Sequence, residues 1–199
     1  MRLFYSPASP FAAKVRMAAQ HCDLALDGVL ADTAAEPDDL LSANPLGKIP
    51  ALVLDDGGVL YDSAVICDYF DKMTGGQLVP QGIDEWRAVK LVEATADGIA
   101  DALILTVYED RYRPEDKRHQ PWVDKQTRKA DRGLEVLEAM IADLPDRLTT
   151  AHFALASLFG WMDIRFAGKL AAERPALAKW YADFPSAFPA FEDLRPKAG

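Results

Sequence analysis

Hydrophobic positions along this chain change their rhythm once, near "LVPQGIDEW", residues 78–86. Before that point short apolar runs alternate with amphipathic ones. Arg2 to Tyr5 reads as a strand. From Pro10 to about Cys22 the apolar residues Phe11, Val15, Ala18, Ala19 and Cys22 fall on one helical face, and Pro10 suits a first turn that needs no amide hydrogen. Leu24 to Leu30 reads as a second strand. A polar stretch, "ADTAAEPDD", leads to a short helix ending near Ala43. Ala51–Leu54 and Val59–Tyr61 flank "DDGG", a hairpin signal. Ser63–Met73 is helical in pattern, with Ala64, Ile66, Cys67 and Phe70 as its apolar positions, and Gly75-Gly76 ends it. The order is β-α-β-α-β-β-α. A right-handed crossover makes the first two strands parallel, and the hairpin makes the last two antiparallel.

After residue 84 the period is helical almost throughout. Long helices are expected over Asp84–Tyr112, Pro121–Leu144 and Thr149–Ala167, with another beginning beyond Pro175 and ending before Pro185. The tail "FPSAFPAFEDLRPKAG" holds three prolines and reads as irregular. The division predicts an α/β domain over residues 1–78, a linker at 79–84 and an all-helical domain over 85–199.

Composition narrows the function. Half of the 199 residues are hydrophobic, enough for a substantial core, and the net charge is -9. Neither half is basic, which disfavours a nucleic-acid partner. The two cysteines, Cys22 and Cys67, form no CxxC pair and lie in apolar helical stretches, so they read as small core residues in a reducing compartment. No signal-like segment or membrane-length apolar run occurs, and no metal-ligand pattern stands out. A cytoplasmic protein is expected.

Three stretches carry candidate chemistry. In "YSPASPF", Tyr5–Phe11, a strand gives way to a helix start, where free backbone amides favour an anion. Ser9 can cap that helix, or its hydroxyl can donate to a bound thiolate. Ser6 and Tyr5 compete for the second role, and Ser9 is favoured because it alone abuts the helix. In "NPLGKIP", Pro50 opens a strand after Ile49, and Lys48 is either a solvated cation or a magnet for a carboxylate. In "YDSAVICDYF", Asp62 and Ser63 open a second helix, either as a simple cap or as a grip on the α-amino-acid end of a ligand.

With "SPF", "NPLGKIP" and "DSAVICDYF" in this order and spacing, followed by a helical half, the chain resembles the cytosolic glutathione S-transferase superfamily over essentially its whole length. The resemblance implies a thioredoxin-like N-terminal domain, a helical C-terminal domain, a homodimer, and glutathione as a substrate without a metal. Ser9 matches the serine that meets the glutathione sulfur, making the chain serine-type. Ile49 matches the residue whose backbone pairs with the cysteinyl part, before a cis-proline that Pro50 matches. Asp62 and Ser63 match the pair at the γ-glutamyl end. Lys48 resembles a basic residue near the glycine carboxylate, and Asp97 an acid that reaches the partner subunit's site. One departure lies in "LTTAHFALA": Thr149 is in place as a helix cap, but His152 stands where the superfamily often has Asp.

The implied reaction is attack of the glutathione thiolate on a small apolar electrophile. Tyr108, Arg111 and Tyr112 are candidates to line the electrophile pocket, with core or surface roles as the alternative. Trp161, which shares a helix face with Arg165, reads as core. A glutathione-dependent isomerase or reductase, and a non-catalytic glutathione-binding or regulatory protein, are the competing readings. A reductase is disfavoured by serine in place of cysteine at position 9.

Overall fold

The computed structural model describes residues 1–198. Four strands, β1 (Arg2–Tyr5), β2 (Asp27–Leu30), β3 (Ala51–Val53) and β4 (Val59–Leu60), form one sheet in the order β2-β1-β3-β4. β1 and β2 are parallel and β3–β4 antiparallel, as the crossover and the hairpin predict, and β1 also pairs antiparallel with β3. The hairpin turns through Gly57 at φ 87°, and Asp56 Oδ1 accepts from the Gly58 amide at 2.8 Å. Successive residues of β1 bury on opposite faces. Leu3 packs with α1 (Pro10–His21) and α3 (Ser63–Met73), and Phe4 packs with α2 (Asp38–Ala43). This is a thioredoxin-like sheet-and-helix unit.

The second half is α4 (Ile83–Tyr112), α5 (Gln120–Met140), α6 (Thr150–Arg165), α7 (Lys169–Glu173), α8 (Pro175–Ala187) and α9 (Phe191–Leu194). α6 is buried along most of its length and carries both cores. Phe153 and Ala156 join the sheet-side cluster, and Leu155, Phe159 and Trp161 join the helical one. Trp161 is a core residue, as expected. The connection is pinned by Asp71, whose Oδ1 accepts from the Leu78 and Val79 amides at 2.8 Å each. Arg147 Nη1 also donates to the Gln77 carbonyl at 2.7 Å.

Four expectations need correction. The second strand begins at Asp27, not Leu24. α1 closes with Asp23 at φ 54°, and the Leu24 amide turns back to the Ala19 carbonyl at 2.9 Å, so Leu24 belongs to the helix cap. α8 does not stop before Pro185 but runs to Ala187. Phe184 and Phe188 are both buried, and their packing outweighs the hydrogen bond that proline forfeits. The tail is not wholly irregular, because buried Phe191 anchors the single turn α9. α6 ends at Arg165, two residues short of Ala167, and the separate helix α7 follows it.

Candidate active site

Strand register brings the three stretches together. Phe4 lies opposite Ala51, and Leu52 opposite Leu60. The C-terminal end of β1, the start of β3 and the end of β4 therefore share one end of the sheet. The "YSPASPF" loop, Pro50 and Asp62 all sit there. The Ile49–Pro50 and Tyr61–Asp62 peptide bonds are both cis. Both α1 and α3 begin at this end, so two sets of unpaired helix amides face it.

Each loop is held in a defined way. Ser9 is the N-cap of α1, and its Oγ accepts from the Ala12 amide at 3.2 Å. That bond uses one lone pair and leaves the hydroxyl proton free to donate. Ser6 closes its own turn, with Oγ accepting from the Ala8 amide at 3.4 Å. Tyr5 is drawn elsewhere: the Arg16 guanidinium sits 4.9 Å from its ring centroid. Buried Asn44 sets the second loop, donating to the Lys48 carbonyl at 2.9 Å and accepting from the Leu46 amide at 3.0 Å. Gly47, at φ 62°, makes that turn possible. Lys48 is exposed, Ile49 half-buried and Pro50 buried. At the third stretch the exposed Asp62 carboxylate accepts from the Ala64 amide at 3.0 Å, and Ser63 is buried behind it.

α4 runs beside α1 and near the Lys48 and Asp62 loops. Asp97 Oδ2 meets Lys14 Nζ at 2.5 Å within the same chain. The Asp101 carboxyl is pushed up by burial, with Lys48 acting against the shift and Asp62 adding to it. Lys48, Asp62 and Asp101 thus share one electrostatic neighbourhood. Tyr108 and Tyr112 continue the Asp97–Asp101 stripe at helical spacing. Both rings are exposed, packed edge to face with centroids 5.3 Å apart, and the Arg111 guanidinium lies 5.8 Å from the Tyr108 ring.

The sequence reading missed Lys14 altogether. Its side chain is fully buried and also meets Glu93 at 3.2 Å, while Glu93 meets Lys90 at 2.6 Å. Burial works against the Lys14 ammonium, but Asp97 and Glu93 outweigh it and hold its pKa above the lysine range. The signal was a lysine three residues after Phe11 and four before Ala18, on the apolar face of a helix. Cys67 is fully buried, and burial raises its thiol far from the reactive range. Cys22 is buried as well, so both cysteines are core residues. No group of His, Cys, Asp or Glu among the described residues is arranged to hold a metal ion. No helix among them is long and apolar enough to cross a membrane.

Comparison with known proteins places this geometry. The family description "Glutathione S-transferase, N-terminal domain" matches residues 3–77, and "Glutathione S-transferase, C-terminal domain" matches residues 120–183. The uncharacterized GST-like protein YibF of Escherichia coli is 30% identical over 184 residues, covering 90% of this chain and 91% of that protein. A glutathione S-transferase from Methylobacterium radiotolerans, solved in complex with glutathione sulfonate, superposes with a TM-score of 0.92 at 32% identity, covering 100% of this chain and 95% of that one. A glutathione transferase family member from Pseudomonas fluorescens Pf-5, solved with bound glutathione, gives a TM-score of 0.88 at 38% identity, with 99% of each chain covered. By sequence along nearly its whole length and by fold, the chain belongs to the glutathione S-transferase family.

Proposed function

We propose that this protein is a serine-type glutathione transferase that joins the glutathione sulfur to an electrophilic carbon of a small, mainly apolar molecule. The observation that carries the reading is the state of Ser9. Its Oγ caps α1 with a lone pair and keeps its proton for a ligand, at the sheet end where Pro50 and Asp62 converge. Ser9 and the α1 amides stabilise the thiolate. A tenfold gain in thiol acidity needs about 1.4 kcal/mol, within the range of one charge-assisted hydrogen bond. The Ile49 backbone holds the cysteinyl unit, while Asp62, Ser63 and the α3 amides take the γ-glutamyl end. Lys48 draws the glycine carboxylate. Asp97 adds a carboxylate toward the partner subunit's site, and Tyr108, Arg111 and Tyr112 receive the electrophile. The glutathione-bound relatives support the ligand.

A homodimer is part of this reading. Val65 and Met73 on α3, with Trp86 and Leu91 on α4, are exposed apolar side chains that a second copy would cover. A reductase is disfavoured because neither cysteine is accessible. The test is retention on immobilised glutathione together with conjugation of 1-chloro-2,4-dinitrobenzene. Retention without conjugation of this or other electrophiles favours a binding protein on the same scaffold. Loss of retention defeats the glutathione site itself.

A further inference from the structure

The solvent-facing side of α5 is divided by charge. At about 100° per residue, Trp122, Lys125, Arg128, Lys129, Arg132 and Val136 fall in one sector of about 120° that holds no acid, and all six side chains are exposed. The adjoining sector holds Asp131 and Glu138, and the C-terminal helices answer it. Lys169 of α7 meets Asp131 at 3.3 Å, and Arg174, at the start of α8, meets Glu138 at 3.5 Å. The basic sector has no such counterpart. Among the described residues no carboxylate pairs with Lys125, Arg128, Lys129 or Arg132, and Lys129 donates to the neutral Gln126 Oε1 at 3.1 Å. Residues 111–132 hold eight Lys and Arg against four Asp and Glu, a local net charge of +4 in a chain of net charge -9.

We propose that this face of α5 seats the protein on an anionic lipid surface, with Lys125, Arg128, Lys129 and Arg132 against phosphate head groups and Trp122 and Val136 at headgroup depth. The contact is peripheral, since no helix among the described residues is long and apolar enough to cross a membrane. From Trp122 to Val136 the face runs about 21 Å at 1.5 Å per residue, a strip that a plane of head groups can meet along its length. An indole beside lysine and arginine stems is the mixture that settles between water and hydrocarbon. Screening confines each charge to about 8 Å at physiological salt, so the strip attracts phosphates despite the acidic body. A nucleic acid duplex is a poorer fit, because phosphates beyond the strip would meet the flanking Asp124 and Glu135, both exposed. Docking here is independent of what the sheet end binds.

The experiment is co-sedimentation of the full chain with vesicles of equimolar phosphatidylglycerol and phosphatidylcholine, against vesicles of phosphatidylcholine alone. Binding is expected to the first and not to the second, and it should fade with added salt. Each cation near such a surface strengthens binding about fivefold, so Lys125→Gln, Lys129→Gln and Arg132→Gln combined should weaken it about a hundredfold. Brominated phosphatidylglycerol should quench part of the tryptophan fluorescence, and Trp122→Phe should remove that quenching, a readout that stands even if the triple variant fails to fold. No binding to the anionic vesicles, equal binding to both kinds, affinity unchanged in the triple variant, or quenching that survives Trp122→Phe would overturn the proposal. So would a duplex oligonucleotide that binds more tightly than the anionic vesicles and loses its affinity in the triple variant, which would assign the face to a nucleic acid.

Discussion

Lys14 Nζ lies 3.2 Å from Glu93 Oε1, and neither side chain reaches water. This pair joins the first helix of the sheet unit to the long helix of the second half. Lys90 extends it to Asp68 on α3 at 2.8 Å. Breaking a buried pair by removing one partner typically costs about 3–5 kcal/mol, because the other charge is stranded. Glu93 keeps Lys90, so Lys14→Met should destabilise by about 3 kcal/mol in urea titration. Lys14→Met combined with Glu93→Leu should be less destabilised than Lys14→Met alone. A double variant at the additive sum would show that the two residues are not coupled.

His152 should give the fold a pH dependence. Its Nδ1 accepts from the Thr149 amide at 3.2 Å and lies 2.9 Å from Thr149 Oγ1, so the imidazole completes the α6 cap in the way an Asp would. An amide can only donate, so this Nδ1 carries no proton. Burial, aided by Arg147 and His21, pushes the His152 pKa down from 6.5 to about 4. The unfolded chain therefore binds the proton first, and the folded state gains stability as pH rises through that window. The contribution is complete above pH 6.5 and lost by about pH 4, amounting to about 3 kcal/mol. Thermal unfolding of His152→Asn across that range should show a flatter acid limb than the wild type. Parallel limbs would refute it.

The C-terminal segment reaches the Ser9 loop. The Lys197 amide donates to the Pro7 carbonyl at 2.9 Å, and buried Pro196 packs so closely on α6 that a Cβ at Gly160 would come within 2.9 Å of its Cδ. Gly160→Ala should destabilise by about 1–3 kcal/mol through overpacking. Removing residues 196–199 should lower kcat by up to about fivefold, since one hydrogen bond of about 1 kcal/mol fixes the loop. Full turnover in the truncated chain, measured by the conjugation assay, would show that the loop holds itself.

Ser9 and Ser6 separate in the same assay. Ser9→Ala should lower kcat for conjugation by about 10–100-fold, the loss of one charge-assisted hydrogen bond of 1.5–3 kcal/mol, with a smaller effect on glutathione affinity. Ser6→Ala should change kcat little, because Ser6 lies earlier in the loop and it is Ser9 that caps the first turn of α1, beside its free amides. The reverse pattern would move the thiolate partner to Ser6.

The sheet unit was legible because its signals are local. Period-two and helical runs, the Asp-Gly turn and Pro10 each fix an element without knowledge of its neighbours. The convergence of Ser9, Pro50 and Asp62 also follows from strand order once the hairpin and crossover are known. What was hidden depends on contacts distant in sequence. Lys14 reads as a surface cation until Glu93 and Asp97 are brought against it, more than seventy residues later in the chain. His152 reads as a defect in a cap until its ring nitrogen is placed. α8 outruns Pro185, and the tail forms α9, because Phe184, Phe188 and Phe191 find a core that local propensity does not register.

The central claim is that the Ser9 hydroxyl and the α1 amides lower the pKa of a bound thiol. Its direct measure is the apparent pKa of glutathione in the complex, followed by the ultraviolet absorbance of the thiolate. The account predicts a value at least about one unit below the ~8.5 of an ordinary thiol, moving back toward it in Ser9→Ala. A bound thiol that titrates like free glutathione, or one whose pKa ignores Ser9→Ala, would contradict it.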